Sequence, residues 1–246
     1  MTLLVTGASG YLGSEVLRRT DAVGSSSADV DIRDAAAVGA LFDRVRPDAV
    51  IHTAYRRDDR ATTFDGAVNV AAAAAGARLV HLSTDVVFDG EKGAPYVEDD
   101  EPSPLTAYGR AKADAERAVL TMHRGALVVR TSLIYGGAQP GPQERLAADP
   151  DASFFTDEVR CPIQVGDLAD ALIELAATGL SGVLHVAGAD RLSRHEFAEL
   201  LAGRAVRAAS MADSGVVRPR DCTLAIERAR GLLRTRLRGA REVLEP

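Results

Sequence analysis

Tyr108 and Lys112 stand four residues apart in Tyr108-Gly109-Arg110-Ala111-Lys112, in a run to Leu120 with few helix breakers after Gly109. Positions i and i+4 share one face of a helix, so the phenol and the ammonium can converge. An ammonium beside a phenol favours the phenolate and lowers its pKa. A phenol tuned in this way can give a proton to a carbonyl oxygen or take one from an alcohol. The same spacing occurs by chance on many solvated helix faces, so its context must decide what it means.

Two other stretches supply that context. Thr2 to Thr6 is a short apolar, β-branched run that stops at Gly7-Ala8-Ser9-Gly10-Tyr11-Leu12-Gly13, and a helical stretch from Ser14 to Arg19 follows. In a strand–turn–helix unit the first glycine permits the tight turn and the second lets backbone approach a pyrophosphate. The third lets the helix pack on the strand, whose following N-terminus offers free N–H groups. Gly7, Ser9, Gly10, Tyr11 and Leu12 are therefore the candidate phosphate-binding residues; a glycine-rich turn with no ligand is the plainer alternative. Arg78 to Ser83 is a second strand, and it delivers Ser83-Thr84-Asp85 at its C-terminal end, where open parallel sheets bind ligands. A hydroxyl there can hydrogen-bond a substrate carbonyl, although a capped turn would also use Thr84 and Asp85.

The elements that must position these groups alternate. Strands are expected at Thr2–Thr6, Ala22–Ser26, Ala49–Thr53, Arg78–Ser83 and Ala126–Thr131. Helices are expected between them, at Ser14–Arg19, from about Ala35 to Val45, at Phe64–Ala77 and from Tyr108. Such alternation predicts an α/β fold, a Rossmann-type doubly wound parallel sheet. The second strand runs into Ser25-Ser26-Ser27 with no Asp or Glu to take the ribose hydroxyls. Room is left for a 2′-phosphate, so NADPH is expected over NADH, with Ser25 and Ser26 as donors but no arginine clearly placed to help. Asp29 to Asp34 reads as a loop and helix cap, His52 as a satisfied strand residue, and Arg56 to Arg60 as a solvated loop or, alternatively, the rim of an anionic substrate site. Phe88 to Thr106 is a long loop, a length that is usually functional in a compact domain.

After Gly136 the texture changes. Gly137 to Pro142 is a glycine/proline loop, Asp167 to Ala177 a helix, Val183 to Val186 a strand, and Leu224 to Leu233 a last helical stretch. Ser193, with Glu196 three residues on, caps a helix to Leu201. Residues 1–136 are thus expected to form the NAD(P)-binding domain and 137–246 a smaller, partly interleaved α/β substrate-binding region, with the strand at 183–186 able to pack back on the main domain.

The bulk numbers exclude several classes. A chain of 246 residues can bury a sizeable core. A net charge of -6 gives nucleic-acid binding no electrostatic support. Cys161 and Cys222 form no metal-ligand spacing, so no metal is expected, and a reducing cytoplasmic setting fits. No apolar run approaches membrane-span length, and no charged leader precedes an apolar core at the start.

Together these pieces resemble the extended short-chain dehydrogenase/reductase superfamily and, within it, the dTDP-4-dehydrorhamnose reductase family. The resemblance covers nearly the whole chain. It rests on Thr6 to Gly13, Ser83 to Gly90, Pro104 to Lys112, Arg130-Thr131-Ser132 and Arg218-Pro219. It implies that Thr84, Tyr108 and Lys112 are the catalytic hydroxyl, proton donor and lysine, the last also binding the nicotinamide ribose. It implies further that Asp31 and Ile32 border the adenine, that Thr53, Ala54 and Tyr55 run under the cofactor with Ser83, and that Thr131 to Leu133 lie near the nicotinamide. Asn69 matches an asparagine that supports the lysine. On the substrate side it implies Asp85, Val86, Arg160 and Arg218, the last near the substrate's nucleotide or pyrophosphate.

The departures all fall on the substrate side. Val86 and Leu133 replace a usual tyrosine and tryptophan, and the stretches after Ala54 and between Gly136 and Phe154 are short. The expected activity is reduction of the 4-keto group of a nucleotide-linked 6-deoxy sugar, in a monomer or homodimer. The alternatives are a non-sugar ketone, a nucleotide-sugar epimerase or dehydratase, and a non-catalytic NADP-binding subunit like the regulatory subunit of methionine adenosyltransferase.

Overall fold

In the computed structural model, residues 1–245 are described; Pro246, the last residue of the expected substrate-binding region, lies outside them. They gather into two compact units. The first comprises Met1–Ser83, Arg110–Val129 and Ala169–Leu184; the second comprises Thr84–Gly109, Arg130–Leu168 and the residues from His185 on.

In the first unit apolar, β-branched runs alternate with helices. They are β1 (Leu3–Thr6), α1 (Tyr11–Arg18), β2 (Val23–Ser25), α2 (Ala35–Val45), β3 (Ala49–His52), α3 (Gly66–Ala73), β4 (Arg78–Thr84), α4 (Ala107–Met122) and β5 (Leu127–Thr131). With the strand Gly182–His185 they form a six-stranded sheet in the order 182–185, β5, β4, β3, β1, β2. β1 is parallel to both β2 and β3, and β3 to β4. The order reverses at β1, so the crevice outside its C-terminal end, between β1 and β3, is the ligand position of an open α/β sheet.

The register shows what backs that crevice. Leu4, Val50 and Leu79 lie side by side, and two residues on, on the same face, lie Thr6, His52 and His81. The apolar row packs against Val38, Leu41 and Phe42 of α2, Val70 of α3, and Ala115 and Val119 of α4. Each such side chain removed from water contributes roughly 1.5–3 kcal/mol, which anchors α4 on the sheet. Lys112, three residues before Ala115, shares that face one turn nearer the strand ends. Asp34 caps α2 by accepting from Ala36 N and Ala37 N at 2.9 and 3.1 Å. The helix expected from Phe64 begins earlier, as a π-helical turn at Ala61–Asp65, and α3 ends at Ala73. Asp59 sets that start, bonding Thr62 N and Thr62 Oγ1.

The second unit is built from short pieces. Strand 134–135 pairs in parallel with 163–164, 153–155 with 207–209, and 159–160 antiparallel with 192–193. Helices α5 (Pro142–Ala148), α6 (Val165–Ala176, which continues into the first unit) and α7 (Arg194–Ala202) join them. α7 has the capping box that Ser193 and Glu196 predict. Tyr135, Leu192, Phe197 and Ala240 form a core cluster. The stretch expected as a helix from Leu224 to Leu233 is helical only at Glu227–Leu232, and a further helix lies at Ala240–Leu244. Leu224 and Ala225 are held out of the helix because Tyr96 N donates to Thr223 O and Ala225 N to Tyr96 O, at 2.7 and 2.8 Å. The same bonds pin the long loop, where Tyr96 also stacks on Phe88 at 4.0 Å. Among the described residues no helix is long and apolar enough to cross a membrane.

Candidate functional site

The glycine turn closes over β3. Gly7 has φ 78°, and a Cβ there would stand 2.7 Å from Ala54 N and 2.8 Å from Thr53 Oγ1. A Cβ on Gly13 would overlap the carbonyl of Gly7. Gly7 N and Ala8 N both donate to Ser25 O, at 2.9 and 3.1 Å, and Thr53 Oγ1 donates to Thr6 O at 2.8 Å. Gly7, Ser25, Thr53 and Ala54 are thereby gathered at one point. The N-terminus of α1 starts at Tyr11 with no side-chain cap on its N–H groups, while Ser9 and Gly10 are exposed. A bare turn leading into an uncapped helix of eight residues fits a pyrophosphate. Around it, Ile32 lies against Gly66 and Asp31 grips Arg33 through both carboxylate oxygens at 2.7–3.1 Å. That guanidinium holds the Asp31 carboxyl down at about 2.

Lys112 is buried, and its Nζ donates to Leu82 O at 2.5 Å. It also lies 5.7 Å from the centre of the exposed Tyr55 ring. Burial lowers its pKa to about 8, and Glu116 pulls the other way. Behind it, the rings of His52 and His81 stack 5.2 Å apart. His52 Nδ1 shares a hydrogen with Thr6 Oγ1 at 2.6 Å. Burial first, and the Lys112 charge second, push His52 down to about 3 and His81 well below its usual range, so both are neutral. His52 is thus a half-satisfied member of a buried polar row.

In the second unit Thr84 ends β4 and caps the short 3₁₀ turn Asp85–Val87. Its hydroxyl accepts from Val86 N at 3.4 Å and donates to Asp85 Oδ1 at 3.2 Å. Half-buried Tyr108 enters α4 beside that turn: Thr106 Oγ1 accepts from Gly109 N at 3.0 Å, and a Cβ on Gly109 would overlap the Val86 carbonyl. Asp85 is buried, with Ser132 Oγ donating to its Oδ2 at 2.6 Å and Arg160 Nε at 3.7 Å. Burial raises the Asp85 pKa and the Arg160 charge opposes it. Arg160 is also fully buried and donates to the carbonyls of Val159, Pro219 and Arg220 at 2.6, 2.9 and 3.2 Å. Glu158 stands between Arg160 and the exposed Arg218, at 3.2 and 3.4 Å.

A family model described as the RmlD substrate binding domain matches residues 1–244. The chain belongs to that family. It is similar to a probable low-salt glycan biosynthesis reductase, Agl14, of Haloferax volcanii, 32% identical over 95% of this chain and 92% of the relative. It is 37% identical to the dTDP-4-dehydrorhamnose reductase of Mycobacterium tuberculosis, over 78% of this chain and 71% of that one. A crystal structure of dTDP-4-dehydrorhamnose reductase from Bacillus anthracis in complex with NADP superposes with a TM-score of 0.90 at 28% identity, covering 100% of this chain and 98% of that one.

Within this RmlD-family chain several residues make contacts that their sequence context alone does not give. The Asn69 amide donates to Ile32 O and Arg33 O, both at 3.0 Å, and so fixes the segment ahead of α2. Asp29 accepts from Ser26 N and Ser26 Oγ at 2.8 and 2.7 Å and so closes the turn after β2. The Leu133 side chain packs against the Tyr135 and Phe197 cluster. Thr131 is buried with its hydroxyl unpartnered, as is the Ser83 hydroxyl. Ser132 lies within the stretch expected near the nicotinamide, whereas Glu158, Thr106 and Gly109, which contact the candidate residues, receive no role from pattern alone. The Thr106 to Gly109 spacing, a cap before a tight helix entry, was the one visible sign.

Proposed function

We propose that this oxidoreductase reduces the 4-keto group of a nucleotide-linked 6-deoxy sugar with NADPH. What supports the reading is Lys112, four residues after Tyr108 on α4, buried and donating to the Leu82 carbonyl. The dinucleotide would lie on the bare turn of Gly7, Gly10 and Gly13, with Lys112 and Tyr55 towards its nicotinamide ribose. When bound, it supplies the hydride.

The chain does the rest. Thr84 donates a hydrogen bond to the ketone oxygen and fixes its direction. Tyr108 gives that oxygen its proton, and the Lys112 ammonium stabilises the phenolate left behind. Arg218, exposed and loosely paired, takes the anionic nucleotide portion, while Asp85 and Arg160 hold the surrounding backbone from within.

The test is loss of NADPH absorbance when the protein meets a dTDP-4-keto-6-deoxy sugar. General acid help contributes about 10²–10⁴-fold, so Tyr108→Phe should lower kcat by that factor and leave NADPH affinity almost unchanged. Undiminished turnover in the variant would remove Tyr108 from this role.

A further inference from the structure

A continuous file of polar side chains runs through the second unit. Arg218 NH1 meets Glu158 Oε2 at 3.4 Å, and Glu158 Oε1 meets Arg160 NH2 at 3.2 Å. Arg160 Nε stands 3.7 Å from Asp85 Oδ2, and Asp85 Oδ1 accepts the Thr84 hydroxyl at 3.2 Å. The three middle members are buried, with residue exposures of 5% for Glu158, 2% for Arg160 and 3% for Asp85. The Arg218 end reaches water, its side chain 46% exposed, and the Thr84 end is half-buried.

We propose that an anion bound at Arg218 is sensed at Thr84 through Glu158, Arg160 and Asp85, which makes those three positioning residues for ketone reduction. The proposal rests on the reductase reading above.

Three features of the file support it. First, the charges are shielded from solvent, so a change at one is poorly screened at the next. Second, Glu158 is shared. An anion that engages Arg218 draws it from Glu158, whose carboxylate then belongs wholly to Arg160. Third, the Arg160–Asp85 contact is the longest in the file and gives first. Ser132 keeps Asp85 by Oδ2, and Asp85, no longer drawn towards Arg160, turns about that bond and carries Oδ1 off Thr84. The Thr84 hydroxyl must donate to a ketone oxygen to be useful, yet it now donates to Asp85. Its release on arrival of the anionic part of the substrate would confine carbonyl activation to ketones that carry such a group. Arg160 itself has no surface to offer a ligand; its contacts with Pro219 O and Arg220 O bind the segment that bears Arg218 to the Asp85 turn.

Such coupling is established by measurement, not by adjacency. The experiment follows the methyl resonance of Thr84 in threonine-labelled full-length protein during titration with inorganic pyrophosphate, with binding measured in parallel by calorimetry. The expected result is an Arg218-dependent binding isotherm with a matching shift of the Thr84 methyl. In Glu158→Gln the pyrophosphate should still bind while the Thr84 methyl stays in place. On the nucleotide sugar, Glu158→Gln should lower kcat about tenfold with KM within twofold of native, in the range usual for coupled sites. Arg218→Ala should raise KM and lower kcat, and the double variant should lose no more kcat than Arg218→Ala. A stationary Thr84 methyl during Arg218-dependent binding overturns the proposal, as does a shift that survives in Glu158→Gln or additive losses of kcat. Absence of any Arg218-dependent pyrophosphate binding overturns it too, and leaves the reductase reading to be judged by NADPH oxidation alone.

Discussion

Lys112 carries its charge where water is scarce, and burial has brought its pKa to about 8 from an ordinary value near 10.5. The ammonium is therefore present at neutral pH and lost in mildly alkaline buffer. Its part in holding the cofactor ribose should disappear with it. NADPH dissociation constants measured by fluorescence between pH 7 and 10 should be flat below about 8 and rise above it, by at most about tenfold per pH unit. Lys112→Met should bind weakly at every pH and show no break. A break in that variant would assign the titration to another group. Lys112 and Tyr108 were legible in the sequence because both lie on one short helix, where spacing alone decides proximity. Asp85, Arg160 and Asp29 were visible as residue types, but their partners were not. Those partners (Ser132, Glu158 and Ser26) are set by how strands and loops come together, and no local period encodes that.

α4 is aimed by its first turn. Gly109 lies against the Val86 carbonyl with no room for a Cβ, and Thr106 caps the entry. The backbone carbonyl cannot rotate away as a flexible side chain could. Gly109→Ala should therefore cost about 1–3 kcal/mol, the range for forced overpacking, instead of gaining the usual helix benefit of alanine. Because the displaced turn carries Tyr108, kcat should fall further than stability does. A thermal melt beside a kinetic assay checks both, and a stabilised, fully active variant would show that the turn has slack. The alternation of strands and helices through β5 was readable because hydrophobic runs and glycine breaks are local signals. The errors came where a distant partner overrode the local one. Tyr96 holds Leu224 and Ala225 out of the helix, and Asp59 begins the helical path to α3 before Phe64. In both cases a tertiary hydrogen bond decided what helix propensity left open.

Across the whole molecule three fully buried histidines remain neutral: His52 and His81 in the first unit and His185 in the second. Burial holds His52 and His185 at about 3 and His81 well below its ordinary value, with Lys112 and Arg130 adding repulsion for the respective units. An unfolded histidine titrates near 6.5. Between about pH 6.5 and 3 the unfolded chain therefore binds more protons than the folded one, so stability is fully present above that window and is lost as pH falls through it. Each histidine adds a slope of about 1.4 kcal/mol per pH unit once it is protonated in the unfolded chain. Asp85, whose pKa is raised by burial, works in the opposite sense and offsets part of this. The net loss between pH 7 and 5 is several kcal/mol, comparable with the roughly 5–15 kcal/mol that holds a typical domain folded. Urea unfolding at pH 7, 6 and 5 should show the midpoint falling steeply, and the two units call for separate spectroscopic probes, since a single transition is not assured for more than one compact unit. His185→Leu should flatten the pH dependence reported by a probe in the second unit and leave that of the first unit steep. Equal slopes in native and variant protein would place the proton uptake elsewhere.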